Sequence, residues 1–81
     1  MAVSRIAYPA AFQPEEGGAL TVTFRDLPGA VTFGESQDAA LEAARDCLDE
    51  ALSFRIARRL DVPRPSARRR GERLIAPRES A

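Results

Sequence analysis

Apolar and polar residues alternate along the first third of the chain, a pattern of period two that is typical of half-buried β-strands. The alternation spans residues 6–12 and 20–24, and Val31 with Phe33 forms a shorter third segment. Turns rich in proline and glycine, QPEEGG and DLPG, separate the three segments. We therefore predict strands at about 3–13, 19–26 and 30–34 that form a three-stranded antiparallel meander, with Asp26 capping the second turn.

Pro9 lies in the middle of the first predicted strand. Because proline has no backbone N–H to donate, we predict that this strand is at an edge of the sheet or is unpaired at that point. An exposed edge here would be able to accept a strand from another chain.

The apolar spacing changes to a helical one after Ser36, which is a suitable N-cap. Leu41, Ala44 and Leu48 recur on one side, and no glycine or proline interrupts the segment before Pro63. These features predict a long helix at about 37–60. Its opposite side is acidic and consists of Asp38, Glu42, Asp46 and Asp49.

The apolar side of the predicted helix is wider than one small sheet needs. The excess, around Ala43, Cys47 and Phe54, either contacts a second copy of the protein or overhangs the sheet edge, and the sequence leaves both interpretations open. A chain of 81 residues has a small core, which favours a homodimer or a higher homo-oligomer.

Pro63 and Pro65 end the helical pattern and begin an extended linker, predicted at 61–72. The apolar run Leu74–Ala76 then predicts a short closing strand at about 73–76 that adds to the sheet. The whole chain, 1–81, is therefore expected to be one α+β domain with the element order β-β-β-α-β.

The formal net charge of zero conceals an asymmetry between the two halves of the chain. Up to Glu50 there are 3 arginines and 9 acidic residues, and from Ala51 onward 9 arginines and 3 acidic residues. This split indicates either an acidic face and a basic segment with separate partners, or two surfaces that neutralise each other in the fold.

The residue types give little support to catalysis. There is no histidine, and Cys47 lies in the apolar helix pattern, so neither an activated nucleophile nor a zinc site is expected. We predict no catalytic residue, no metal and no cofactor. The single cysteine, and the lack of a signal-peptide core or a membrane-length apolar run, predict a soluble cytoplasmic protein.

Several short blocks, in this order and spacing, resemble the HicB antitoxin family. They are YPAAF at 8–12, PEEGG at 14–18, TVTF at 21–24, DLPG at 26–29, SQDAA at 36–40 and LIAP at 74–77. The resemblance implies a partial RNase H-like fold without the nuclease carboxylates. It also implies a partner, HicA, a small basic mRNA interferase whose active-site histidine the antitoxin covers.

Many members of that family continue into a DNA-binding domain, and no such domain is present up to Ala81. We therefore expect either a short subtype or the N-terminal part of a longer protein, with DNA as a partner only if a further domain exists.

Two main hypotheses follow, with a vestigial RNase H-like nuclease as a weaker third. In the first, the chain is an antitoxin that contacts a HicA-like toxin, with the acidic helix side steering association. In the second, it binds nucleic acid through its C-terminal arginine cluster, or it is an oligomerisation domain of a transcriptional autoregulator. The predicted toxin contacts are Tyr8, Phe12, Glu15, Glu16, Asp26, Leu27 and Pro28, and the predicted nucleic-acid contacts are Arg64, Arg68, Arg69, Arg70 and Arg73.

Overall fold

The computed structural model describes residues 6–77. Over that range the chain is α+β, with a four-stranded antiparallel sheet and one helix. The order across the sheet is β3-β2-β1-β4. The elements are β1 (Tyr8–Pro14), a short 3₁₀ turn (Glu16–Gly18), β2 (Leu20–Phe24), β3 (Val31–Gly34), α1 (Gln37–Ala57) and β4 (Glu72–Ile75).

The pairing predicted for the first three strands is confirmed. Ala10 of β1 lies opposite Phe24 of β2, and Thr23 of β2 lies opposite Val31 of β3. The sheet is nevertheless more than a meander, because β4 returns to pair with β1 instead of following β3. The first strand was predicted from about residue 3, and residues 1–5 lie outside the described part of the chain.

The predicted edge position of β1 is wrong. Pro9 is fully buried and lies opposite Leu74 of β4, so β1 is a central strand. Pairing with β2 begins one residue later, at Ala10. The missing N–H of Pro9 therefore interrupts no hydrogen bond between β1 and β2, which explains how a central strand tolerates proline.

The helix begins as predicted and ends three residues earlier than expected. The Ser36 side chain accepts a hydrogen bond from the Ala39 N–H (3.1 Å), as an N-cap should. At the other end Arg59 takes a left-handed conformation with φ of 58°. Arg59 and Leu60 then donate backwards to Ile56 and Arg55 (3.1 and 2.8 Å), which is a Schellman cap that stops the helix at Ala57.

The core lies between α1 and one face of the sheet. The helix contributes small residues and one leucine, and the sheet contributes its larger side chains. Gly34, at the end of β3, lies so close to α1 that a Cβ there would overlap the backbone of Ala39 and Ala40. The buried residues are Tyr8, Ala10, Val22, Phe24, Leu27, Ala40, Ala44, Leu48 and Ile75.

Candidate functional site

The linker between α1 and β4 is tied to the start of the sheet by hydrogen bonds. The Tyr8 hydroxyl donates to the Pro63 carbonyl (2.7 Å), and burial raises the pKa of that hydroxyl. The Asp26 carboxylate accepts from the Ser66 N–H and the Ser66 hydroxyl (2.7 and 2.8 Å). In the described structure Asp26 therefore caps the linker, whereas the sequence suggested that it caps its own turn.

An Arg25–Glu72 ion pair joins the residue that follows β2 to the first residue of β4, across β1. The Arg25 Nε and Nη2 atoms donate to the two carboxylate oxygens of Glu72 (2.8 and 3.1 Å), and Nη2 also donates to the Ala67 carbonyl (2.6 Å). The hydrogen bond from Arg25, helped by the Arg69 backbone N–H, lowers the pKa of Glu72 from 4.5 to about 2. This fork fixes where β4 docks on the sheet.

The turn between β2 and β3 is anchored by a buried leucine. Leu27 is only 1% exposed and belongs to the core, while Pro28 and Gly29 are exposed at the tip. Tyr8, another predicted toxin contact, is equally buried. These two side chains hold the surface in place, and direct contact with a partner would require the core to open.

Four acidic residues gather at one end of the sheet. Pro14, Leu20 and Gly34 lie in one row across β1, β2 and β3, and the chain turns directly beyond that row. We call the four exposed acidic residues there the acidic end: Glu15, Glu16, Glu35 and Asp38. Asp38 also starts the acidic side of α1, where Glu42 and Asp46 are exposed and Asp49 is half-buried.

The predicted toxin contacts do not form one patch. Glu15 and Glu16 follow β1, whereas Asp26 and Pro28 follow β2 at the opposite end of the sheet. The two groups are thus separated by the length of β2, roughly 17 Å for its five residues. Phe12 lies between them and is half-buried, with the Arg73 guanidinium 5.9 Å from the centre of its ring.

An open groove lies between the turn after β2 and the C-terminal half of α1. Its volume is about 600 Å³. It brings together Leu27 and Pro28, predicted as toxin contacts, and Cys47 and Phe54, predicted as an oligomer interface. Phe54 lines the groove and is half-exposed. The Arg58 guanidinium lies over its ring, 4.7 Å from the ring centre.

The described residues contain few features of a catalytic or metal site. Burial, assisted by the charge of Glu50, raises the pKa of the Cys47 thiol and so disfavours the reactive thiolate. Among residues 6–77, no three cysteine or carboxylate side chains are placed to hold a metal ion. Within the same range no helix is long and apolar enough to cross a membrane.

The arginine cluster lies in the linker just before β4. Arg68, Arg69 and Arg70 are exposed, although the Arg68 side chain donates to the Glu72 carbonyl (2.9 Å). Arg64 and Arg73 are exposed as well. The cluster belongs to a turn that is held in place by Glu72, so its position on the surface is defined.

The described side chains therefore form an acidic surface, a basic turn and an apolar groove. Surfaces of these kinds are typical of a small domain that binds other macromolecules. The family model described as "HicB_like antitoxin of bacterial toxin-antitoxin system" matches residues 7–76. The chain accordingly belongs to the HicB-like antitoxin family.

Individual relatives agree with the family assignment. The chain is 38% identical over 68 residues to Antitoxin HicB 2 of Photorhabdus laumondii. This match covers 84% of this chain and 47% of that protein. It is 39% identical over 59 residues to Antitoxin HicB of Escherichia coli K12, covering 73% and 43%. Antitoxin HicB 1 of P. laumondii is 35% identical over 63 residues, covering 78% and 41%. The chain thus spans less than half the length of these relatives.

Sequence reasoning missed the groups that hold the linker. Nothing in the local pattern indicated that Arg25 binds Glu72 or that Asp26 binds Ser66, because the partners are 47 and 40 residues apart. It also overlooked Glu35, whose place at the acidic end depends on the register of three strands. The excess of acidic residues among the first 50 was the one feature of the sequence that indicated an acidic surface including Glu35.

Proposed function

We propose that this chain binds a HicA-type toxin, a small basic mRNA interferase, and neutralises it by covering its active site. Membership of the HicB-like antitoxin family over residues 7–76 is the observation that carries the proposal. Because the chain spans less than half of its relatives, the proposal concerns the toxin-binding part of such an antitoxin. A partial RNase H-like fold is the finer structural part of the same proposal.

The acidic end and the adjoining acidic side of α1 support this function. Both surfaces lie outside the core, and a strongly basic ribonuclease would be attracted to them electrostatically. Acidic side chains would also compete there with RNA phosphates for the cationic groups of the toxin. Of the residues predicted to contact the toxin, we favour Glu15 and Glu16, with Phe12 at the border of the patch.

The test uses the protein encoded by an adjacent reading frame, if that frame encodes a small basic protein. Its binding to this chain is measured by calorimetry, and its RNA cleavage is measured with and without the chain. We expect tight binding and loss of cleavage at equimolar ratio. Cleavage that continues with excess chain would refute the proposal.

Charge-reversal variants locate the contact surface. The double variant E15K/E16K should slow association roughly tenfold to a hundredfold at low salt, because steering charge is reversed. Asp61→Lys changes an exposed acidic residue in the linker and is the control, with a charge change of two units against the four of E15K/E16K. A change in the logarithm of the association rate half as large for Asp61→Lys as for E15K/E16K would show that only net charge matters and would remove the acidic end as the contact.

A second function, nucleic-acid binding, is favoured by the fixed and exposed position of Arg68–Arg70. Binding through these residues should weaken steeply with added salt, and R69A/R70A should abolish it. A gel-retardation series with duplex DNA and RNA at low salt tests this. No retardation would eliminate it.

A further inference from the structure

We infer that the toxin partner docks on the face of the sheet that α1 leaves uncovered, over β2 and β3, with Phe33 as the apolar anchor of the contact. The partner that fits this surface is a small basic protein whose cationic groups border an apolar patch. The inference rests on the proposed function and names the surface through which the chain performs it.

One face of the sheet is not covered by a helix in residues 6–77. Val22 and Phe24 of β2 are buried in the core against α1, whereas Thr23 between them is exposed on the other face. Val31 lies opposite Thr23 in the register, so the side chains of Val31 and Phe33 lie on that other face as well. We call this side of the sheet the open face.

The linker covers only the part of the open face that belongs to β1 and β4. The Arg25 side chain reaches across β1 to the Glu72 carboxylate and to the Ala67 carbonyl. Pro9, on the same face of β1, is fully buried beside these groups. The part of the open face over β2 and β3 therefore stays accessible.

This accessible part carries a large apolar surface at β3. Phe33 is 53% exposed and Val31 is 58% exposed, and they lie next to each other on the open face. Thr21 and Thr23 continue the surface on β2 without adding a charge. We call these four residues the open-face patch. An exposed aromatic ring on a neutral, well-ordered surface is a frequent anchor of protein interfaces.

A hydrogen bond holds an acidic group at the border of the open-face patch. The Thr21 hydroxyl donates to the Glu15 carboxylate (3.0 Å), and Phe33 lies opposite Thr21 on the next strand. The Glu15 carboxylate is thus held one strand away from the Phe33 side chain. Glu35, which also belongs to the acidic end, follows Phe33 by two residues. The acidic end and the open-face patch therefore form one continuous surface.

Charge complementarity selects a basic protein as the occupant of this surface. Residues 20–24 and 31–34 include no charged side chain, so Glu15 supplies the charge nearest to Phe33 on the open face. A cationic side chain of the partner would pair with that carboxylate while an apolar side chain covers the Phe33 ring.

The same charge disfavours a nucleic acid at this place, because the Glu15 carboxylate repels phosphates. The exposed arginines at 68–70 lie just before β4, and β4 is three strand spacings from β3, roughly 14 Å. A nucleic acid bound to those arginines would therefore leave the open-face patch free.

Calorimetry with the small basic protein encoded by the adjacent reading frame tests the inference. Phe33→Ala should raise the Kd of the complex roughly tenfold to a hundredfold, because it removes the anchor of the interface. Phe54→Ala is the matched control, since it removes the same ring at a site that is equally exposed (51%) but lies in the groove beside α1. Its Kd should stay close to the wild-type value.

A second variant keeps the test independent of any loss of apolar packing. Thr23→Lys places a bulky cation in the middle of the open-face patch, at an exposed position, and should weaken binding at least as much as Phe33→Ala. The conservative Thr23→Ser should bind like the wild type. Circular dichroism establishes that each variant is folded, and light scattering measures its mass.

The outcomes separate this inference from the proposed function. A wild-type chain that does not bind the basic protein would overturn both. A wild-type chain that binds and inhibits it, while Phe33→Ala and Thr23→Lys bind equally tightly, would overturn only the docking surface. So would an equal loss of affinity in Phe54→Ala. A loss of affinity in Phe33→Ala that comes with a changed mass of the free chain would assign the patch to a contact between copies and overturn it as well.

Discussion

The two edge strands of the sheet, β3 and β4, differ in the contacts that hold them in place. The β4 edge follows a linker held by ion pairs and hydrogen bonds to Arg25 and Asp26, and it contains the charged residues Glu72 and Arg73. The β3 edge is apolar and half-exposed, and it is held by packing against β2 and α1. Polar contacts thus fix the position of a strand that arrives late in the chain, while apolar packing fixes the position of the strand that follows β2 directly.

The difference reflects how each strand reaches the sheet. β3 follows β2 after a short turn, so its position is set by local geometry and by the close approach of Gly34 to the helix. β4 follows a linker of more than ten residues and could dock in several registers. The directional fork from Arg25 to Glu72 selects one of them.

The largest expected effect is at the β3 side. Gly34→Ala should lower the free energy of unfolding by about 3 kcal/mol or more, because the new Cβ overlaps backbone that cannot rotate away. Gly71→Ala, just before β4, meets open space and only the strain of its positive φ of 86°, and should cost about 1–2 kcal/mol. Urea denaturation measures both, and equal losses would contradict this account of the β3 side.

The second-largest effect is expected from a substitution that detaches the linker from the sheet. Asp26→Ala should lower the free energy of unfolding by about 1–3 kcal/mol, since it removes both acceptors of Ser66. Hydrogen exchange should show the linker opening while the β2–β3 pairing stays protected. Asp61→Ala, an exposed change in the same linker, is the control and should be close to neutral.

The smallest effect concerns the ion pair and its pH dependence. Glu72 has a folded pKa of about 2, below its ordinary 4.5, so it contributes stability above pH 4.5 that is lost as pH falls toward 2. Glu72→Gln should therefore be less stable than the wild type at pH 7 and equally stable near pH 2. Thermal unfolding of both proteins across this pH range measures the difference in stability. A difference that stays constant with pH would show that the ionisation of Glu72 does not cause it.

Much of the fold was predictable because its signals are local. The alternation at 20–24, the DLPG turn and the Ser36 N-cap each depend on neighbouring residues, and all three appear where the sequence indicated. The end of α1 was predicted too late because an arginine, Arg59, occupies the left-handed position that glycine usually marks. The edge prediction for β1 was wrong because the effect of Pro9 on the sheet depends on where the pairing between β1 and β2 begins, which the local sequence does not show.

The candidate surfaces were predictable in residue type and less so in arrangement. The sequence alone determined the elements, the acidic character of the first half, the arginine-rich linker and the family resemblance. Only the tertiary structure decided that β1 is central, that Tyr8 and Leu27 are core residues, and that Glu15 and Glu35 share one end of the sheet. The physical reason is that helices and turns depend on nearby residues, whereas strand order and register depend on contacts between residues far apart in the chain.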